Sequence, residues 1–122
     1  MIKTSGLYHI HLHVRDLQRS LKFYQGVFGM EVLYRAGPSM AFLRTPGGQD
    51  LVTLNQAEAS DRSVGESGGI AHFGFALDDS ESLDKAVAEV EKHGGKLMKR
   101  GEHSPGHAYA YFTDPDGYWF EL

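Results

Sequence analysis

Alternation of polar and apolar residues near the amino terminus predicts a strand. Residues 7–14 read Leu-Tyr-His-Ile-His-Leu-His-Val, so the three histidines share one face and the apolar residues between them share the other. Apolar residues then recur at helical spacing between Asp16, a good N-cap, and Gly29, a residue typical of helix ends. The chain is therefore expected to begin with a strand followed by a helix.

Three strand-like segments and a polar stretch complete the first half of the chain. The segments lie between turn-forming groups that contain Gly and Pro, and the polar stretch offers little to bury. The predicted strands are 31–35, 40–44 and 50–55, and the predicted linker is 56–69.

The second half repeats this order. A strand, a helix that stops at a Gly-Gly pair and three further strands are predicted; they are 70–77, 80–93, 96–100, 108–113 and 118–122. His9 precedes Asp16 by seven residues, as His72 precedes Asp79. This correspondence indicates a degenerate internal duplication.

The duplication predicts an α+β fold with two tandem βαβββ modules. We expect one domain over residues 1–122, with modules at about 5–55 and 70–122. The two sheets are expected to form a cupped, partly open β-barrel around a central cleft, with the helices outside.

Composition narrows the possible functions. The 122 residues are 41% hydrophobic and 23% charged, as in an ordinary globular protein. The net charge of -4 without a Lys/Arg cluster argues against nucleic acid or a membrane surface as a partner. The absence of cysteine excludes disulfides and thiolate chemistry. No apolar leader or span is evident, so we expect a cytoplasmic protein.

Two histidines occupy matching places in the duplicated frame, and one carboxylate lies on the last predicted strand. His9 and His72 hold the same position on the first strand of each module, and Glu121 lies four residues after the turn glycine Gly117. Two imidazoles and a carboxylate form a facial set that leaves metal positions open for substrate, on iron, manganese or zinc. Chelation by His9 and His11 is an alternative, because alternate strand residues share a face.

The first module supplies no second carboxylate. The residue four after Gly48, in the place that corresponds to Glu121, is Val52. The predicted site therefore has three protein ligands rather than four.

The runs 9–17, 71–75 and 111–121 resemble the glyoxalase, bleomycin-resistance and extradiol-dioxygenase superfamily, also called the vicinal oxygen chelate superfamily. This resemblance covers nearly the whole chain. It implies paired βαβββ modules and one divalent metal ion on the same three ligands, His9, His72 and Glu121. Fe(II) or Mn(II) is the expected ion, with Zn(II) or Ni(II) as alternatives.

Residues 101–117, followed by Glu121, are similar to the extradiol ring-cleavage signature, with Ala110 where that pattern has a larger apolar residue. The resemblance implies that His103 hydrogen-bonds a catecholate and that Tyr111 lies beside the substrate oxygens. Extradiol enzymes also carry an acid-base histidine at a position aligned here with Asp50. The further catalytic candidates are therefore Asp50, His11, His13 and His107, and the substrate-binding candidates are His13, Phe73, Tyr109 and Trp119.

Three functions remain open from the sequence. The first is an oxidoreductase, an extradiol-type dioxygenase that acts on a catechol-like vicinal diol. Measurement of oxygen uptake would test it. The second is a fosfomycin-type resistance transferase or another metal-dependent lyase or isomerase of the superfamily, although Val52 disfavours a glyoxalase. The third is a metal-free drug-binding protein that uses aromatic side chains such as Phe75. A homodimer is expected, with modules that can be exchanged between chains.

Overall fold

The computed structural model describes residues 1–122. The chain divides into two compact units, Met1–Arg62 (unit 1) and Ser63–Leu122 (unit 2). Each unit contains one helix and one four-stranded sheet. Neither helix is long and apolar enough to cross a membrane.

Unit 1 has the order βαβββ, and its sheet has the strand order β1-β4-β3-β2. The strand β1 runs parallel to β4, and the two remaining pairs are antiparallel. The elements are β1 (His9–Val14), α1 (Leu17–Phe28), β2 (Glu31–Arg35), β3 (Met40–Arg44) and β4 (Leu51–Gln56).

Both ends of α1 follow the sequence prediction. The Asp16 side chain accepts a hydrogen bond from the Arg19 amide at 3.0 Å, which satisfies one amide of the first turn. Gly29 ends the helix in the left-handed region with φ 62, and its amide donates to the Gln25 carbonyl.

The sheet of unit 1 has two unlike faces. Leu12 and Val14 alternate with the exposed histidines of β1 and are buried, as are Val52 and Leu54 of β4. The helix α1 packs on β4. Burial of these side chains beneath α1 stabilises the unit by about 1.5 to 3 kcal/mol each.

Unit 2 repeats the topology of unit 1, with the strand order β5-β8-β7-β6 and β5 parallel to β8. Its elements are β5 (Phe73–Gly74), α2 (Leu83–Lys92), β6 (Lys96–Ser104), β7 (His107–Thr113) and β8 (Trp119–Glu121). The predicted α+β class and the two βαβββ modules are thereby confirmed.

Two predicted elements of unit 2, the strand at 70–77 and the helix at 80–93, have other bounds in the structure. The strand expected at 70–77 is only Phe73–Gly74, because β5 pairs with β8 alone and β8 is short. The helix begins at Leu83 rather than residue 80, since Ser80 donates its amide and hydroxyl to the Asp78 carboxylate and lies in a turn.

The strand β6 extends four residues beyond its predicted end. The segment after residue 100 contains Gly, Ser and Pro and was expected to be a loop. It instead pairs with β7 up to Ser104 and His107, which close a tight hairpin. Pairing across the hairpin therefore overrides a composition typical of loops.

The predicted linker is not uniformly exposed. Val64 is 5% exposed, and a Cβ atom added to Gly65 would overlap the Asp116 carbonyl oxygen. Asp116 belongs to the turn before β8, where the Asp114 carboxylate accepts from the amides of Asp116 and Tyr118. The segment around Gly65 thus packs tightly against the turn that leads to Glu121.

Replacing Gly65 with Ala tests this close approach. Gly65 has φ +85, and an added methyl group would overlap the Asp116 carbonyl, so Gly65→Ala should lower the free energy of unfolding by about 2 kcal/mol or more. Gly68→Ala is the matched control, because Gly68 also has positive φ but open space around it, and its cost should be about 1 kcal/mol. Urea denaturation measures both, and equal losses would contradict the packing described.

Candidate functional site

Glu121 lies at the centre of the strand face that carries the predicted chemistry of unit 2. It is opposite Gly74 of β5 on one side and opposite Tyr111 of β7 on the other. Residues opposite one another in neighbouring strands point to the same face. His72, two residues before Gly74, and Trp119, two before Glu121, belong to this face as well.

His72 and Glu121 form a close pair. The Nε2 atom of His72 lies 3.0 Å from Oε2 of Glu121, and both side chains are partly exposed. Two ligand atoms that occupy adjacent coordination positions of one metal ion, each about 2.1 Å from it, lie roughly 3 Å from each other. The spacing and chemistry of this pair therefore fit a divalent first-row metal ion.

His103 approaches the same carboxylate from the other side. Its Nε2 atom lies 2.9 Å from Oε1 of Glu121. The register between β6 and β7 shifts between Glu102 and Ser104, so His103 is the extra residue of a β-bulge. Bulges re-aim side chains, and here the imidazole lies over Tyr109 with the ring centroids 4.2 Å apart.

Five side chains on this face form a closed ring of contacts. Glu121 contacts His72 and His103, His103 stacks on Tyr109, Tyr109 contacts Tyr111 at 5.1 Å between centroids, and Tyr111 contacts His72 at 4.8 Å. We call this set the unit 2 circuit. Trp119 lies at its edge, 6.5 Å from Tyr111 and 42% exposed.

The three histidines of β1 lie in unit 1. His9, His11 and His13 are exposed on one face, as predicted. Partial burial, followed by the charges of His13 and His9, lowers the pKa of His11, so the neutral imidazole is favoured. His13 lies 3.5 Å from the Asp61 carboxylate, a long contact between an exposed and a half-buried side chain that contributes little.

The predicted ligands are thus divided between the units. His72 and Glu121 are brought together in unit 2, and His9 belongs to unit 1. The structure contains no group of three or more His, Asp or Glu side chains arranged to hold a metal ion. The complete triad therefore stays a prediction.

The position in unit 1 that corresponds to Glu121 is Thr53, and the inference that chose Val52 was wrong. Glu121 pairs with Gly74, two residues after His72, and Thr53 pairs with His11, two residues after His9. The turn before β4 is one residue longer than its counterpart. The conclusion that unit 1 supplies no second carboxylate still holds, because Thr53 has none.

The one-residue change of register in β4 also bears on Asp50, which was predicted to face the site as an acid-base residue. Asp50 precedes β4, and its carboxylate accepts hydrogen bonds from the Thr45 hydroxyl at 2.8 Å and the Thr45 amide at 3.2 Å. Val52 lies on the face beneath α1, whereas Leu51 and Thr53 share the face of the histidines. Asp50 stabilises the turn, and this placement does not support a role as an acid-base residue.

Two candidates in unit 2 also lie elsewhere than expected. Phe73 pairs with buried Phe120, on the opposite face from Glu121, and its ring lies 6.2 Å from that of Phe120. Phe73 is half-buried there, and this placement does not support its predicted role in substrate binding. His107 lies at the tip of the hairpin, where its Nδ1 atom is 2.9 Å from the Ser104 hydroxyl, a contact within the turn.

A surface cavity of about 550 Å³ lies in unit 1, between Tyr8, the start of β2, the end of β3 and the turn 47–49. None of the predicted site residues lines it.

The sequence predicted no role for Gly101 of β6, which lies opposite Tyr109 of β7. That pairing could be recognised only once the bulge at His103 had set the register.

Comparison with known proteins assigns the family. The family model described as the Glyoxalase/Bleomycin resistance protein/Dioxygenase superfamily matches residues 6–122. The chain belongs to this superfamily. The resemblance found in the sequence is therefore confirmed.

Two curated relatives are dioxygenases by name. A catechol-2,3-dioxygenase from Bacillus subtilis is 34% identical over 115 residues, which cover 91% of this chain and 38% of that protein. A metapyrocatechase from Geobacillus stearothermophilus is 33% identical over 120 residues, with 98% and 34% covered. The chain thus spans little more than a third of the length of these relatives.

A solved structure of a third relative shares the fold. It is a mutant of the fosfomycin resistance protein FosX from Listeria monocytogenes, complexed with Mn(II) and 1S,2S-dihydroxypropylphosphonic acid. The TM-score is 0.77 at 26% identity, with 98% of this chain and 90% of that chain covered. Members of the superfamily thus include enzymes that act on small molecules, and one structure of this group holds a divalent metal.

Proposed function

We propose that this protein is a divalent-metal-dependent dioxygenase of the extradiol type that acts on a small catechol-like vicinal diol. The observation that carries the proposal is the placement of His103 and Tyr111 beside the pair of His72 and Glu121. The two dioxygenase relatives support the same reaction.

The proposed metal ligands are His9, His72 and Glu121, and the proposed ion is Fe(II) or Mn(II). When bound, the ion would supply Lewis acidity toward both oxygens of the diol and, as a redox metal, reactivity toward dioxygen. The pair of His72 and Glu121 fits this role because its donor atoms are spaced as adjacent ligands.

His103 is proposed to bind the diol and to exchange protons with it. Its side chain is 58% exposed, so a substrate can reach it. The contact of Nε2 with Glu121 holds the ring in one orientation. If Nε2 carries the proton donated to the carboxylate, Nδ1 is the atom left to accept a proton from a substrate hydroxyl.

Tyr111 and Trp119 are proposed to orient the substrate. The ring of Tyr111 lies between His72 and Tyr109, and its hydroxyl group can donate a hydrogen bond to a substrate oxygen. Trp119 offers an exposed aromatic surface at the edge of the same face, suited to cover a flat ring.

A fosfomycin-type transferase is the second candidate, and one observation favours it. Lys99 pairs with Tyr111 across β6 and β7, so its ammonium group belongs to the face of Glu121. One cation there can attract a phosphonate, and the fold is shared with FosX. Opening of an epoxide needs no dioxygen, so the two candidates are separable by assay.

Oxygen uptake tests the dioxygenase proposal. Protein loaded anaerobically with Fe(II) or Mn(II) should consume equimolar dioxygen when catechols are added. His103→Gln should lower kcat by about 10²-fold or more, because the proton acceptor is lost while the proposed ligands remain. His93→Gln, at the end of α2, is the matched control and should leave kcat unchanged. A fully metallated protein that neither binds catechols nor consumes dioxygen would rule the proposal out.

The proposed assembly is a homodimer. Unit 1 carries only His9 of the proposed ligands, and unit 2 carries His72 and Glu121. The set can therefore be completed either within one chain or by units of two chains, as in dimers that exchange modules.

Mixing two inactive variants distinguishes these arrangements. If modules are exchanged, co-refolding His9→Ala with His72→Ala should restore about one quarter of the wild-type activity, because half of the dimers regain one intact site. If each chain completes its own site, every site keeps a defect and no activity returns. Loss of metal from each variant alone, measured by elemental analysis, is the necessary control.

A further inference from the structure

Gly101 leaves room for a ring across the hairpin of unit 2. It pairs with Tyr109, and a Cβ atom at Gly101 would lie 2.9 Å from the Tyr109 hydroxyl oxygen and 3.1 Å from Cζ. Such distances are shorter than ordinary van der Waals contact. The ring of Tyr109 therefore lies directly over the Gly101 backbone, in space that any side chain at this position would occupy.

The exposed imidazole of His103 lies on this ring. The two rings are nearly parallel, 23° apart in plane with centroids at 4.2 Å. The bulge leaves His103 without a partner across the ladder, and more than half of its side chain is exposed. Without a neighbouring surface, such a side chain would sample several rotamers.

We propose that Tyr109 is a positioning residue for His103, and that Gly101 is required because it admits the Tyr109 ring. Stacking holds the imidazole so that Nε2 points at Oε1 of Glu121. The consequence for catalysis rests on the proposed function, whereas the positioning itself is a property of the metal-free protein.

This role differs from the one expected for Tyr109 from the sequence. An aromatic residue that stacks on a substrate needs an open ring face. One face of Tyr109 is covered by His103, its hydroxyl end lies at Gly101, and Tyr111 is in contact at 5.1 Å. Tyr109 is therefore engaged with the protein, and the exposed aromatic side chain of this face is that of Trp119.

Histidine-ring NMR of the metal-free protein at fixed pH tests the proposal. In protein with ¹³C-labelled histidine, the His103 signals, assigned by their loss in His103→Gln, should be shifted upfield by the Tyr109 ring. Tyr109→Leu should abolish this shift, and Gly101→Ala should reduce it by displacing the ring. Tyr109→Phe should retain it, because the ring is kept. Tyr34→Leu removes an exposed strand tyrosine of unit 1 and should leave the signals unchanged.

Activity gives the second readout. In metal-loaded enzyme, Tyr109→Leu should lower kcat roughly 10- to 100-fold, as misplacement of a catalytic group does, with metal content retained. His103 signals that keep their wild-type upfield shift in folded Tyr109→Leu, verified by circular dichroism, would overturn the proposal. If Tyr109→Leu does not fold, unchanged signals in Gly101→Ala would overturn it equally. An NMR response without oxygen uptake by wild type would support the positioning and refute only the proposed function.

Discussion

The carboxylate of Glu121 is the group on which the site of unit 2 depends. Its two oxygens engage two different imidazoles, His72 at 3.0 Å and His103 at 2.9 Å. A carboxylate held this way has one preferred orientation, and both imidazoles are oriented in return. The aromatic contacts of Tyr109 and Tyr111 complete the unit 2 circuit and limit the rotation of each ring.

Packing of β8 supports this carboxylate from behind. Phe120, adjacent to Glu121, is fully buried and stacks with Phe112 of β7. The Asp114 carboxylate holds the turn before β8 through two backbone amides. Because alternate residues of a strand point to opposite faces, burial of Phe120 directs Glu121 to the exposed face. The chemistry of the site thus follows from an apolar contact on the other side of the sheet.

The sequence predicted the parts of this structure that depend on local periodicity. The faces of β1 follow from strict alternation, and α1 from an N-cap and a terminal glycine. The duplication placed His9 and His72 at matching positions, and the turn glycine Gly117 gave the position of Glu121. Counting from turn glycines failed for unit 1, because one extra residue before β4 moves the register and makes Thr53 rather than Val52 the counterpart of Glu121.

Features that depend on pairing between strands could not be predicted from the sequence. A segment that contains Gly, Ser and Pro is typical of a loop, yet its first four residues pair as the end of β6. The bulge that turns His103 toward Glu121, and the space over Gly101 that Tyr109 fills, exist only once this register is set. Such features arise from contacts between residues distant in sequence, which local propensity does not encode.

The most direct test of the proposed metal site is a crystal structure of the Mn(II)-loaded protein with the metal located by anomalous scattering. One anomalous peak is expected within about 2.0 to 2.3 Å of His72 Nε2, of a Glu121 oxygen and of the His9 imidazole. A peak on His9 and His11 together, or a fully loaded crystal in which Glu121 binds no metal, would contradict it.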